Sequence, residues 1–170
     1  PHPMSEKALR ENRLAEEIKA YLDLLQSTLS NARVLLIRRQ RSSEDGALLL
    51  YLADGSDPSP LLYKLPLARY ADLLDLDIPA FFTQGGPTLP APCNEPLFLV
   101  CTNGKRDVCC SKWGLPAFKT LAQQYGDQVW QSSHVGGHRF APNLVCLPHG
   151  VFYGRVAPGE VSAIARRYST

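Results

Sequence analysis

Residues 97–110 read Leu-Phe-Leu-Val-Cys-Thr-Asn-Gly-Lys-Arg-Asp-Val-Cys-Cys. The apolar run 97–100 has the character of a buried strand, and it delivers Cys101 at its end. A polar loop, 102–107, follows. The pattern then turns helical over 111–125, with Leu115, Phe118, Leu121, Ala122 and Tyr125 facing inward and Gly126 as the stop. Residues 129–133 read as a second strand, ending at His134. Residues 143–147 and 151–156 form a hairpin about Pro148-His149-Gly150. Pro158-Gly159-Glu160 opens a last helix through Tyr168.

This order of strand, helix, three strands and helix predicts an α/β fold. A small mixed sheet packs against helices, as in thioredoxin-like domains. Upstream, residues 5–29 carry a helical stripe of Leu14, Ile18, Leu22, Leu25 and Leu29, with Glu16, Glu17 and Lys19 opposite. Residues 33–37 read as a buried strand, 42–46 as a turn, and 47–53 as a second strand hairpin-paired with the first. Residues 61–65 are a short third strand and 66–76 a short helix. Residues 81–96 hold Gly85-Gly86 and Pro87, Pro90, Pro92 and Pro96, a composition suited to a linker. The expected division is therefore a smaller N-terminal α/β half, residues 1–92, and a second unit, residues 93–170. The first half also runs helix then strands, so a degenerate copy of the thioredoxin-like unit is one form it can take.

Composition sets broad limits. The chain has 170 residues, 45% hydrophobic and 20% charged, enough apolar material for a core without disulfides. A net charge of +2 carries no signal for nucleic acid. No stretch approaches the roughly 20 apolar residues of a membrane span. Five cysteines, an odd count, follow a charged, helix-like first thirty residues unlike a secretory leader. A reducing, cytoplasmic compartment is the expectation, where clustered Cys and His point to metal or redox chemistry.

Two pairs of side chains carry that chemistry. Cys101 and Cys110 are separated by eight residues, one at a strand end and one at a helix start. Free N–H groups at a helix start favour the thiolate, the form that binds metal. Two buried cysteines acting as small hydrophobes are the alternative. Cys109 and Cys110 are adjacent and point apart, so one serves the site; the helix start favours Cys110, with Cys109 as the substitute. His134-Val135-Gly136-Gly137-His138 has the spacing of a helical metal face, yet the two glycines make a helix unfavourable there. A tight loop results, whose glycines let backbone approach a ligand closely. Cys93 and Cys146 read as structural, His2 and His149 as uninvolved, and Trp113 and Trp130 as core.

Residues 97–110 and 130–144, Trp-Gln-Ser-Ser-His-Val-Gly-Gly-His-Arg-Phe-Ala-Pro-Asn-Leu, with 150–156, resemble the sucrase/ferredoxin-like family. The likeness is clear over about residues 93–157 and weaker over 31–80; members are commonly longer. It implies a thioredoxin-like [2Fe–2S] ferredoxin domain. In all-cysteine members a second cysteine pair stands where this chain has His134 and His138, while fungal members related to the actin-patch-distal protein imply two cysteines and two histidines. Carried over, the ligands are Cys101, Cys110, His134 and His138, with N–H groups of Gly136 and Gly137 near the bridging sulfides. The implied function is one-electron transfer with proton-coupled redox, or sensing of redox state or iron, alongside a redox partner such as a reductase. Lys105, Arg106 and Arg139 flank the ligands, as docking groups for an acidic partner or as plain surface charges. A structural zinc site on the same residues, a thiol–disulfide protein using Cys109 and Cys110, and a cofactor-free interaction module are the competing readings.

Overall fold

The computed structural model describes residues 7–39, 48–55, 58–84 and 90–169. In chain order the elements are α1 (Glu16–Thr28), β1 (Ile37–Arg38), β2 (Leu48–Asp54), β3 (Leu61–Leu67), a 3₁₀ turn (Tyr70–Asp75), α2 (Ile78–Gln84), β4 (Leu97–Cys101), α3 (Val108–Tyr125), β5 (Val129–Ser132), β6 (Leu144–Leu147), β7 (Val151–Tyr153) and α4 (Val161–Tyr168). Every residue of β4 is buried. A strand apolar on both faces belongs at the centre of a sheet, covered from two sides. Accordingly, β4 lies mid-sheet in the order β1-β5-β4-β6-β7. It pairs parallel with β5 through the α3 crossover and antiparallel with β6.

Alternation along β4 sorts the two covering layers. Phe98 and Val100 join Ala117, Phe118 and Leu121 of α3 and Val161 and Ala165 of α4 in one apolar cluster. Leu97, Leu99 and Cys101 face the other way, toward Leu62, Trp130, Val135 and Val145. That second face is roofed by the hairpin of β2 and β3, which is apolar on both sides. Leu49, Tyr51 and Ala53 pack against the large sheet. Leu50 and Leu52 turn outward to Ile18, Leu22 and Leu25 of α1. Four layers result: α3 with α4, the five-stranded sheet, the two-stranded sheet, and α1 with α2 and the 3₁₀ turn.

The expected α/β class and the element order of the second unit are those observed, with a mixed five-stranded sheet flanked by helices. Several first-half details differ. Residues 48–53 do not pair with 33–37; β2 pairs along its whole length with β3, from Leu48↔Leu67 to Asp54↔Leu61. Ile37 and Arg38 instead extend the large sheet at β5, through Ile37↔Ser132 and Arg38↔Gln131. Alternation assigns faces but not partners, and the open edge of β5 supplied one. The turn expected at 42–46 lies outside the described residues. Helix α1 begins at Glu16 rather than near residue 5, because the Asn12 amide closes the preceding turns on the Ala8 carbonyl at 2.8 Å and accepts from the Leu14 N–H at 2.8 Å. Over 66–76 only a 3₁₀ turn forms, since Pro66 and Leu67 remain in β3. Helix α2, a single short element with Pro79 in its first turn, occupies part of the expected linker.

Two outcomes follow from this packing. Leu62, 2% exposed, is the hairpin's anchor in the cluster under the sheet. Leu62→Ala should cost about 2–5 kcal/mol, read as a lowered urea midpoint. Cys146 is fully buried in β6, and burial pushes its thiol up to about 12. Its neutral form favours the folded state, fully so below the unfolded thiol's value of about 8.5. That contribution is lost as pH rises toward the folded value. Unfolding midpoints compared between about pH 8 and about pH 10.5 should therefore fall less for Cys146→Ala than for the parent chain.

Candidate metal centre

The parallel pairing of β4 with β5 sets Cys101 opposite Ser132, so both strands end at the same edge of the sheet. His134 follows two residues beyond Ser132. Two backbone bonds seal this edge: the Cys101 N–H donates to the Asn143 carbonyl at 3.1 Å, and the Thr102 N–H to the Ser132 carbonyl at 3.3 Å. Cys110 sits in the first turn of α3, fully buried. Asp107 caps that turn, its carboxylate accepting from the Cys109 N–H at 2.8 Å. Gly114 lets α3 settle on the strand end. A Cβ added there would stand 2.2 Å from the Cys101 carbonyl oxygen.

These placements bring three of the four expected ligands together. The His134 Nδ1 lies 3.9 Å from the Cys101 Sγ and 3.7 Å from the Cys110 Sγ. All three donor atoms fall within 4.8 Å of one another. His138 stands beside this trio rather than in it; its ring centroid is 6.2 Å from that of His134, and its side chain is exposed. Cys109 points to solvent, where Asp107 raises its thiol through a hydrogen bond. Cys146 lies on the far side of the sheet and Cys93 is half-buried beside the Leu62 cluster. His149 pairs instead with the Tyr168 hydroxyl at 2.7 Å. Lys105, Arg106 and Arg139 are exposed around the site. Trp130 is buried as expected, but Trp113 is not: it is 48% exposed. The inward stripe of α3 runs through Cys110, Gly114, Ala117 and Leu121 and passes residue 113 by.

The loop carrying both histidines is held from two directions. Gly136 and Gly137 adopt φ of 90° and 62°, a region that side-chain-bearing residues rarely enter. The buried Asn143 amide donates to both glycine carbonyls at 3.0 Å each. From the other side, the Arg33 guanidinium donates to the Val135 carbonyl. The segment bearing Arg33 is itself tied to β5, with the Ser133 N–H donating to the Leu36 carbonyl at 2.8 Å and the Leu36 N–H to the Ser133 Oγ at 3.1 Å. Sequence reasoning named neither Asn143 nor Arg33. For Asn143 the available signal was an amide placed directly before an apolar strand; for Arg33, a charge heading an apolar run.

The two thiols are electrostatically unequal. Cys101 is held below the ordinary thiol value, chiefly by a hydrogen bond from Cys110 and further by the N–H groups of Asn103 and Val135, against the opposing effect of burial. The same contact pushes Cys110 up. One thiolate is thus favoured, and a second beside it needs a nearby cation. All five cysteines are free, so the pair is not consumed as a disulfide. Thiolate sulfur with imidazole nitrogen is a donor set for zinc or for iron–sulfur centres, and the residues present fit either.

A family model described as Sucrase/ferredoxin-like matches residues 2–170. The chain is also similar to a protein called Altered inheritance of mitochondria protein 32 from Meyerozyma guilliermondii, at 38% identity over 85 residues, 41% of this chain and 28% of that protein. A protein of the same name from Debaryomyces hansenii is 36% identical over 78 residues, 40% of this chain and 29% of its own length. The matches thus span under a third of each relative. No solved structure matches the chain. Among the described residues, no helix is long and apolar enough to cross a membrane.

Close seating of α3 on Cys101 is directly testable. Gly114→Ala should lower stability by about 1–3 kcal/mol through overpacking. By moving Cys110 away it should also reduce bound metal. Chemical denaturation and metal analysis read the two effects, and a variant matching the parent in both would disprove the close approach.

Proposed function

The chain belongs to the sucrase/ferredoxin-like family, and from that premise we propose that Cys101, Cys110, His134 and His138 hold a [2Fe–2S] cluster used for one-electron transfer. The observation that carries this reading is the convergence of two cysteine sulfurs and the His134 Nδ1 at the shared edge of β4 and β5. Bound there, such a cluster supplies one-electron redox chemistry at a higher potential than four thiolates allow, because neutral imidazoles replace two negative ligands. Cys101 and Cys110 serve as the thiolate side, fixed on a strand end and a helix turn. His134 and His138 serve as the imidazole side, carried by the glycine loop. That loop turns through left-handed backbone at Gly136 and Gly137, and their N–H groups would be available as donors to the sulfides of a bound cluster.

With Nδ1 of His134 turned to the sulfurs, Nε2 is the atom left to hold a proton. The exposure of His138 gives protons and electrons a short route to solvent or to a partner. Exposed Lys105, Arg106 and Arg139 suit an acidic redox partner of the reductase type. Five free thiols suit a reducing compartment, the cytoplasm being the simplest. The compactness of the trio, within 4.8 Å, favours a second reading as well, a single tetrahedral zinc ion.

Metal analysis of the purified protein separates the two. The proposal expects a red-brown protein with iron and acid-labile sulfide in equal amounts. Its dithionite-reduced form should give an electron paramagnetic resonance signal of low average g. His138→Cys should lower the reduction potential and raise that g value. A colourless protein carrying one zinc per chain would replace the electron-transfer reading by a structural one.

A further inference from the structure

We propose that a second site lies against the outer side of His134, a cavity built to bind a small oxyanion, either a phosphate or a compact carboxylate. The cavity is about 380 Å³, within the range of small-molecule sites. It opens between the turn at residues 7–10, α1 and the end of β5. Lys7, Arg10 and Arg33 line it with Ser133 and His134, and Asp23 is the one carboxylate on its wall. Three cations against one acid leave it strongly positive in a chain whose overall charge is only +2.

Among the described residues, ion pairs join Lys19 to Glu16, Arg39 to Asp127 and Arg69 to Asp72, and none includes Lys7, Arg10 or Arg33. Arg33 is exposed, and among the described residues its hydrogen-bond acceptor is the uncharged Val135 carbonyl. A guanidinium has five N–H donors, and one carbonyl satisfies few of them. Gathering three like charges around one concavity is unfavourable until an anion enters. The forked donors of two arginines match the paired oxygens of carboxylate or phosphate, and a lysine adds a point charge.

The site reaches the histidine loop through one hydrogen bond. Arg33 contacts the carbonyl of Val135, the residue after His134, and its Nη2 lies 3.4 Å from the position a Cβ on Gly136 would take. An anion drawing on Arg33 therefore acts on the backbone that carries both histidines. Anion binding itself does not depend on which metal the four donors hold.

Isothermal titration calorimetry on the purified full chain tests the proposal, with inorganic phosphate in one arm and succinate in another. Chloride holds the ionic strength constant. Saturable one-to-one binding is expected in at least one arm, and which arm responds identifies the oxyanion. The double variant Lys7→Ala/Arg10→Ala changes two exposed residues of a surface turn. It should weaken binding by at least about tenfold while its unfolding midpoint in chloride and its metal content stay at parent values. Absence of saturable heat in both arms, or undiminished affinity in the double variant, overturns the site. Because the readout is anion binding, a protein that proves to hold zinc leaves the proposal standing if phosphate or succinate still binds.

Discussion

The parallel pairing of β4 with β5 is the constraint on which everything else rests. Parallel neighbours need a crossover, here α3, and the crossover brings their C-terminal ends to one edge. Cys101 ends the first strand, Cys110 begins the helix that leaves it, and His134 follows the second strand. Cys101 and His134 are 33 residues apart in sequence, yet the backbone ladder fixes where both chains emerge before any ligand is considered. Ligand sites in open α/β sheets gather at such strand ends because the loops there, free of ladder hydrogen bonds, can be shaped for binding.

Holding that edge takes more than the second half of the chain. The β2–β3 hairpin, apolar on both faces, covers the sheet side that contains Cys101 and hands its other face to α1. The strap at residues 33–36 runs along β5, contributes Arg33 to the histidine loop, and ends in β1 at the sheet's edge. Ring contacts reinforce this seam: Tyr51 meets Trp130 edge-on at 5.6 Å, and the Arg39 guanidinium lies 4.6 Å from the Trp130 ring centre. First-half residues thus form one wall of the centre, although none of the four expected ligands lies there.

Much of this was legible in the residues themselves. The apolar run into Cys101, the helical stripe ending at Gly126, the hairpin about 148–150 and the last helix all follow from local periodicity and turn chemistry. The same is true of the glycine loop between the histidines, where backbone freedom is written into residue type. Strand partners were not legible, because alternation along 33–37 and 47–53 tells which side faces in but not which edge lies alongside. Asn143 and Arg33 were hidden for a related reason. Each matters through carbonyls that tertiary packing alone brings near, and nothing in its own neighbourhood announces that role. Trp113 shows the converse error, a large aromatic residue assigned inward when the helix's buried stripe runs elsewhere.

The two pairs of expected ligands rest on mechanically different footings. Cys101 and Cys110 belong to a strand and a helix that Gly114 allows to touch. The histidines ride on a short bridge whose geometry is kept by a few side-chain hydrogen bonds, and the outer imidazole is already wet. A chelator approaching a metal held at this edge would therefore meet the exposed imidazole of His138 first, while the two sulfurs stay covered.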